Sequence, residues 1–558
     1  MNRLPYSLIL GFLLVSPLPL LGCGDEGSAG PVGSEGGDGG GAGGAGAEGG
    51  GAWGGSGGST GVLNDFDCTE PAGSLGEPVF FECEEPNSDG PIDCAVVDVP
   101  LDWCAEDGER ISFFFRRFPH RGEAPRGQLW YLPGGPGSSG AATGHRLREL
   151  RDLGFDVYVP DYRGVGQSTA LNCAGEGENE VSMRCLDELE GVWGDSLRHF
   201  STTGAVFDIG GVIAALRGPD EPVFLLGGSY GTFVLNRFLH LFPDQVTAAV
   251  MDGVCNGAGC EVRFDRNRDR VARDVLEYCG TDPFCSSKLT TDPVAWITEL
   301  MEDVRAGHCN EVFGAETEAR LTEAMIENSR SRASIAVGLS FAYRLARCDP
   351  ADRAALRHHA FGPEASNALG GHSEKSGYLY FNIFLNEFWP DGFTLADAQA
   401  EAQELLFRGS STIDMARTRS IWPWPFFSAP DELKSWAKTD RPLLLFTGAL
   451  DTQTPLSALH DVEDAFPHPH QHFVPIPWGP HNNVFAVDSG KRLDEMCIGG
   501  MFLDFFRDPT AELDRSCVAD LPPPDLEWTG HWAQVVYGTD DLWENPPDEE
   551  EEEAPTAP

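Results

Sequence analysis

The pentapeptide Gly227-Gly228-Ser229-Tyr230-Gly231, placed directly after the apolar run Val223-Phe224-Leu225-Leu226, constrains the fold more than any other segment. A strand that ends in G-x-S-x-G reads as a nucleophile elbow, a sharp strand-to-helix turn that presents a serine hydroxyl. Gly227 and Gly231 supply small neighbours where side chains would clash with the forced backbone. Such a short pattern also arises by chance in a chain with 67 glycines, so the surrounding segments must carry the argument.

From Asp65 onward, short apolar runs alternate with longer amphipathic stretches, the pattern of an α/β chain with a mostly parallel sheet. Ala95 to Val99 and Ile111 to Arg116 are predicted to form an opening hairpin. Gln128 to Leu132, Phe155 to Val159, Val223 to Leu226, Thr247 to Met251, Leu443 to Thr447 and His472 to Ile476 complete a predicted sheet of eight strands. Between the sixth and seventh lies a long insert, 261–440, with helical patterns at Arg266 to Tyr278, Val294 to Ala306, Glu316 to Ile326 and Ala396 to Leu406. It reads as a helical cap over the carboxyl edge of the sheet.

A nucleophilic serine needs an imidazole to take its proton and a carboxylate to orient that imidazole. Asp451 follows the strand Leu443 to Thr447, and His481 follows the next strand, a spacing of 30 residues that accommodates one helix and one strand. An attacked carbonyl also needs N–H donors for its oxyanion. Pro133-Gly134-Gly135-Pro136-Gly137 stands directly after a strand and offers the amide of Gly135, with the amide of Tyr230 as the second donor. This chemistry calls for no metal and no organic cofactor. The histidines at 468, 470 and 472 alternate with prolines and have no acidic partner nearby, so they read as an exposed approach to the last strand. Arg163, in Asp161-Tyr162-Arg163, reads as a structural brace of the elbow, and the aromatic run Trp422 to Phe427 as packing of the cap or lining of a pocket.

Together Gly134 to Gly137, Asp161 to Ser168, Gly227 to Thr232 and Gly448 to Pro455 resemble the prolyl iminopeptidase and tripeptidyl aminopeptidase family of α/β-hydrolase serine peptidases, from about Cys94 to Cys517. The resemblance implies the α/β-hydrolase fold and release of residues or short peptides from a free N-terminus, with cap carboxylates receiving the ammonium group. Glu387, in Asn386-Glu387-Phe388-Trp389, is the candidate for that role, because a carboxylate beside aromatic surface suits a cation. Pro133 stands where the iminopeptidases carry His, and Tyr230 is closer to the tripeptidyl branch.

Arg3 followed by the apolar stretch Leu8 to Val15 has the layout of an export signal and is too short for a membrane span. Leu20-Leu21-Gly22-Cys23 resembles the bacterial lipobox, which makes Cys23 the predicted lipidation site and residues 1–22 its signal peptide. The Gly-rich segment 23–62 has too little apolar surface to fold and reads as a tether of about 35 Å. The predicted core then occupies 63–260 and 441–535, and 536–558 ends in an acidic run read as a solvated tail. Setting Cys23 aside from the 15 cysteines leaves 14, an even number suited to disulfides in an exported protein. Cys94 with Cys104, Cys173 with Cys185, Cys279 with Cys285, and Cys497 with Cys517 would each close a short loop, and spacing alone leaves the connectivity open.

A net charge of −48 makes nucleic acid and anionic membrane surfaces poor partners for the folded body, leaving a lipid anchor as its contact with a membrane. The expected partners are short peptides with a free N-terminus or other small acyl substrates, met in the cell envelope or outside it. A carboxylesterase or lactonase with the same triad, and a surface binding protein that has lost catalysis, are the competing readings.

Overall fold

In the computed structural model, the described residues are 62–545 apart from 84–89, 91, 106, 123–124, 142–146, 174–180, 257–259, 261, 362–374 and 485–490. The signal segment, Cys23, the tether up to Gly61 and the acidic run from Asp548 fall outside them.

Two short strands, β1 (Leu63–Asn64) and β9 (Phe427–Ser428), form a parallel pair. The other nine make one sheet: β2 (Phe80–Cys83), β3 (Ile92–Pro100), β4 (Arg110–Phe118), β5 (Gly127–Leu132), β6 (Phe155–Asp161), β7 (Val223–Gly228), β8 (Ala248–Asp252), β10 (Leu443–Gly448) and β11 (Gln471–Ile476). Their spatial order is β11-β10-β8-β7-β5-β6-β4-β3-β2. From β11 to β6 the strands run parallel, and β4, β3 and β2 add antiparallel pairs at one edge. All eight predicted strands are present, and β2 is the addition.

The central strands β7, β8 and β10 are buried along their whole length, as strands covered by helices on both faces must be. Alternation divides their side chains between two cores. Val223 and Leu225 of β7 and Leu443 and Leu445 of β10 join one with the helices Thr202–Leu216 and Tyr230–Leu241. Phe224, Leu226, Leu444 and Phe446 join the other, with Met501, Phe502, Phe505 and Phe506 from the helix Cys497–Arg507.

Between β8 and β10 the chain forms a run of helices. The four helical patterns appear as Phe264–Thr281, Pro293–Arg305, Thr317–Asn328 and Leu395–Glu404, with further helices at Ile335–Arg347, Pro350–Phe361, Gly377–Glu387 and Ser411–Ile421 among them. Local chemistry sets their starts: before Pro293, the Asp292 carboxylate accepts from Ala295 N at 3.1 Å, a capped N-terminus with proline in the first turn. Ile297 with Met301 and Leu321 with Met325, each pair four residues apart, put apolar stripes into the insert's own core.

Two expectations need correction. The segment from 536 does not open a solvated tail. His531–Tyr537 is a helix, and Tyr537, Leu542 and Trp543 are buried in the insert's core. The buried Arg344 donates to the carbonyls of Leu542, Asp541 and Glu544 at 2.6, 2.8 and 2.9 Å and to Asp352 at 3.1 Å. Three backbone carbonyls on one buried guanidinium hold this segment against the insert, whatever its sequence composition suggests. Cys94 is also not bonded to Cys104: the β2–β3 pairing places Cys83 next to Cys94, and Cys104 closes on Cys68. Cys173–Cys185, Cys279–Cys285 and Cys497–Cys517 pair as spaced, and Cys255–Cys260 and Cys309–Cys348 complete the set.

Candidate active site

Ser229 lies between β7 and the helix Tyr230–Leu241 at φ 56°, ψ −125°. A non-glycine residue at this positive φ is strained and persists only where its surroundings hold it. Ser229 N donates to Asp252 O at 2.9 Å, and Ser229 O accepts from Thr232 N at 2.8 Å and Thr232 Oγ1 at 2.7 Å. The flanking glycines are sterically required: a Cβ on Gly227 would lie 2.5 Å from Gly231 O, and one on Gly231 would lie 2.0 Å from Leu132 O.

The glycine-proline loop after β5 runs beside Ser229, close enough that a Cβ on Gly134 would lie 3.1 Å from Ser229 Cβ. Gly135, at φ 129°, lines the same cavity as Ser229 and Tyr230. Three contacts fix the loop. Tyr162 donates its hydroxyl to Pro133 O at 3.0 Å, Gly140 N donates to Asp161 Oδ1 at 2.8 Å, and Ser376 N donates to Gly137 O at 2.8 Å. Tyr230 opens a helix, so its N–H has no intrahelical acceptor and sits at the positive end of the helix dipole.

On the other side, His481 Nδ1 lies 2.8 Å from Asp451 Oδ2. Asp451 is fully buried, and its Oδ1 accepts from Gln453 N and Thr454 N at 2.9 and 2.8 Å while Thr454 Oγ1 donates to Oδ2 at 2.6 Å. Burial alone would raise the Asp451 pKa, but the His481 charge, its hydrogen bond and those from Thr454 together hold it below the usual carboxylate range. An ionised carboxylate only accepts, so the imidazole proton sits on Nδ1 and Nε2 is left as an acceptor. That Nε2 is buried and has no hydrogen-bond partner among the described residues. The histidine loop packs on the residues around the elbow: a Cβ on Gly253 would lie 3.1 Å from His481 Cε1, and one on Gly228 would lie 3.4 Å from Asn482 Oδ1. Sequence reading missed Thr454 and Asp252, the latter accepting from Asn483 N and Val484 N, both at 2.7 Å. An acid at the carboxyl end of a strand was the available signal.

Phe264, Phe384 and Phe388 from the insert and the Cys255–Cys260 disulfide close a cavity of about 30 Å³ over Ser229. Glu387 does not line it. Its side chain is 2% exposed, Oε1 accepts from Thr202 N at 2.8 Å and Oε2 lies 3.5 Å from Arg237. The ammonium role read for Glu387 is therefore not kept, because the carboxylate is already committed to a buried cation and an amide. Arg163 is structural as expected, but it braces the helix Thr202–Leu216 rather than the elbow, donating to both oxygens of Asp208 at 2.8 and 2.6 Å. Trp422 and Trp424 are buried packing residues, and Trp424 donates to Leu186 O at 3.0 Å.

Arg237 serves two buried carboxylates, Glu387 and, at 4.0 Å, Asp65. Burial pushes both acids up against the pull of the guanidinium. Removing one member of a buried ion cluster leaves the others uncompensated, so Arg237→Met is expected to cost about 3–5 kcal/mol at pH 7. Acids whose folded pKa is raised disfavour folding increasingly as pH rises above their unfolded values near 4. The loss should accordingly shrink from pH 8 to pH 5. Urea unfolding across that range checks it, and a midpoint unchanged at every pH would refute the electrostatic account.

Residues 129–269 match the family described as alpha/beta hydrolase fold. With the sheet order and the elbow after β7, this gives the chain the α/β-hydrolase fold. The chain is similar to the tripeptidyl aminopeptidase of Streptomyces lividans, 29% identical over 208 residues that cover 32% of this chain and 38% of that protein. It is likewise similar to the serine protease Hip1 of Mycobacterium tuberculosis, 31% identical over 242 residues (37% and 45%). The proline iminopeptidase of Aeromonas sobria is 32% identical over 162 residues (28% and 35%). These matches span less than half of each relative, and they bear out the peptidase resemblance carried by the motifs.

Proposed function

We propose that the chain is an exported serine hydrolase that removes residues or short peptides from the free N-terminus of peptides. Ser229 Oγ attacks the scissile carbonyl carbon as its proton passes to His481 Nε2, and the amides of Tyr230 and Gly135 receive the oxyanion. The C–N bond then breaks, the imidazolium returns the proton to the leaving amine, and an acyl-enzyme remains. Water, deprotonated by the same imidazole, hydrolyses the ester and restores Ser229. Asp451 keeps the imidazole in the tautomer this requires.

The observation that carries this reading is a buried imidazole whose Nδ1 is held by Asp451 and whose Nε2 has no partner among the described residues, on a loop packed against Gly253 and Gly228 beside the serine. The peptidase relatives support peptides as the substrate class. Export is supported by seven disulfides that use every cysteine except Cys23, the residue proposed to carry lipid.

A defined mixture of free and Nα-acetylated peptides, incubated with the full chain and with Ser229→Ala and followed by mass spectrometry, tests the proposal. Free peptides should lose N-terminal residues only with the parent chain, and acetylated ones should persist. Ser229-dependent turnover confined to simple esters would replace the peptidase reading with an esterase. Failure of a fluorophosphonate to label Ser229 in folded protein would remove catalysis altogether.

A further inference from the structure

Asp252 ends β8 as a fully buried carboxylate with no cation against it in its hydrogen-bond set. Its Oδ1 accepts from Asn483 N at 2.7 Å and Asn483 Nδ2 at 3.1 Å, and its Oδ2 accepts from Val484 N at 2.7 Å. Its backbone carbonyl accepts from Ser229 N at 2.9 Å. A single residue therefore ties the backbone just after His481 to the backbone of the serine, while the residue after it, Gly253 at φ 71°, makes room for the imidazole edge. The two Asp252 oxygens take three converging N–H donors, and these bonds favour the charged form against the burial that raises its pKa. An amide there would turn its own N–H₂ towards one of these donors.

We propose that Asp252 is a positioning residue for the reaction, fixing the reach of the His481 imidazole to the Ser229 hydroxyl. It acts through the backbone of the histidine loop and does not compete with Asp451 for Nδ1, which lies 2.8 Å from Asp451 Oδ2 and 3.3 Å from Thr454 Oγ1. The inference rests on the hydrolase reading of Ser229 and His481. A loop freed at 483–484 lets the imidazole wander, and misplacement of a reacting group by about 1 Å costs on the order of 10²-fold in rate.

The test uses the full chain and the variants Asp252→Asn, Asn483→Ala and Ser229→Ala. Two rates are read per folded molecule: hydrolysis of a tripeptidyl p-nitroanilide with a free N-terminus, and labelling by a fluorophosphonate, which needs the serine–histidine pair but no peptide specificity. Asp252→Asn should lower kcat by about 10²-fold with KM little changed, and should slow labelling in parallel. Asn483→Ala, which removes one of the three donors and leaves the carboxylate, should show a smaller loss of the same kind, and decides the question if Asp252→Asn does not fold. Lower thermal stability with unchanged kcat and labelling per folded molecule would make Asp252 merely structural and overturn the proposal. Retained turnover in Ser229→Ala would instead overturn the site reading itself.

Discussion

Ser229→Ala is expected to lower kcat by about 10⁶-fold with little change in KM, a loss of about 8 kcal/mol of transition-state stabilisation. Only the oxygen is removed. The Cβ that sits 3.1 Å from the position a Gly134 Cβ would occupy remains, and the backbone at φ 56° keeps its three anchoring bonds to Asp252 and Thr232. The cavity walls contributed by Phe264, Phe384 and Phe388 are untouched, so substrate binding should persist where chemistry does not. His481→Ala should fall to a similar floor. The double variant should be no worse than either single one, because residues acting as one unit lose their joint contribution at the first deletion. Steady-state kinetics with active-site titration measures this. A Ser229→Ala protein within tenfold of the parent would place the nucleophile elsewhere.

The parts of this fold written as local periodicity were readable in the chain. The central strands are apolar runs bounded by turns, and the elbow, the acid and the histidine each follow one of them. What was not readable depends on partners distant in sequence. β2, Phe-Phe-Glu-Cys, is a short edge strand whose pairing with β3 decides both its existence and the Cys83–Cys94 bond. The helix Gly377–Glu387 is apolar on nearly every side, with Tyr378, Leu379, Phe381, Ile383, Phe384 and Leu385 all buried, so no polar face marks its period. At its end, Glu387 looked available because its cation, Arg237, lies 150 residues away. Asp252 was passed over for a related reason: its role comes from amides 231 and 232 residues further on.

The insert and the loops that carry Asp451 and His481 are not separable layers. Leu450, which precedes Asp451, and Trp478, shortly before His481, pack into the insert's own core, with the Trp478 and Tyr278 rings 4.5 Å apart. The insert helix Gly377–Glu387 is capped by Ser376, the residue whose N–H holds Gly137 O in the glycine-proline loop. Insert packing thus bears on Asp451, His481 and the proposed oxyanion donors together, a consequence of building all three on loops at one edge of the sheet.

Asp451→Asn should cost about 10⁴-fold in kcat, and its hydrogen bonds explain why an isosteric change does so much. The amides of Gln453 and Thr454 converge on Oδ1, so the variant's carbonyl oxygen takes that place and its NH₂ occupies the position of Oδ2. Thr454 Oγ1 can turn and accept from the new donor, but His481 Nδ1, at 2.8 Å, must then be an acceptor as well. The imidazole proton moves to Nε2, where it blocks transfer from Ser229. KM should stay near the parent value and the fold should survive, because the buried polar atoms keep partners. Stability is a second, independent signal. The Asp451 pKa is held low in the folded chain, so its charge contributes stability above the unfolded value near 4, and that contribution fades as pH falls through the lower folded value. The variant should be less stable than the parent at pH 7, and the difference should close as pH falls below the usual carboxylate range. A variant with parent-like kcat, or one that is inactive only because KM has risen, would mean that Asp451 does not set the tautomer of His481.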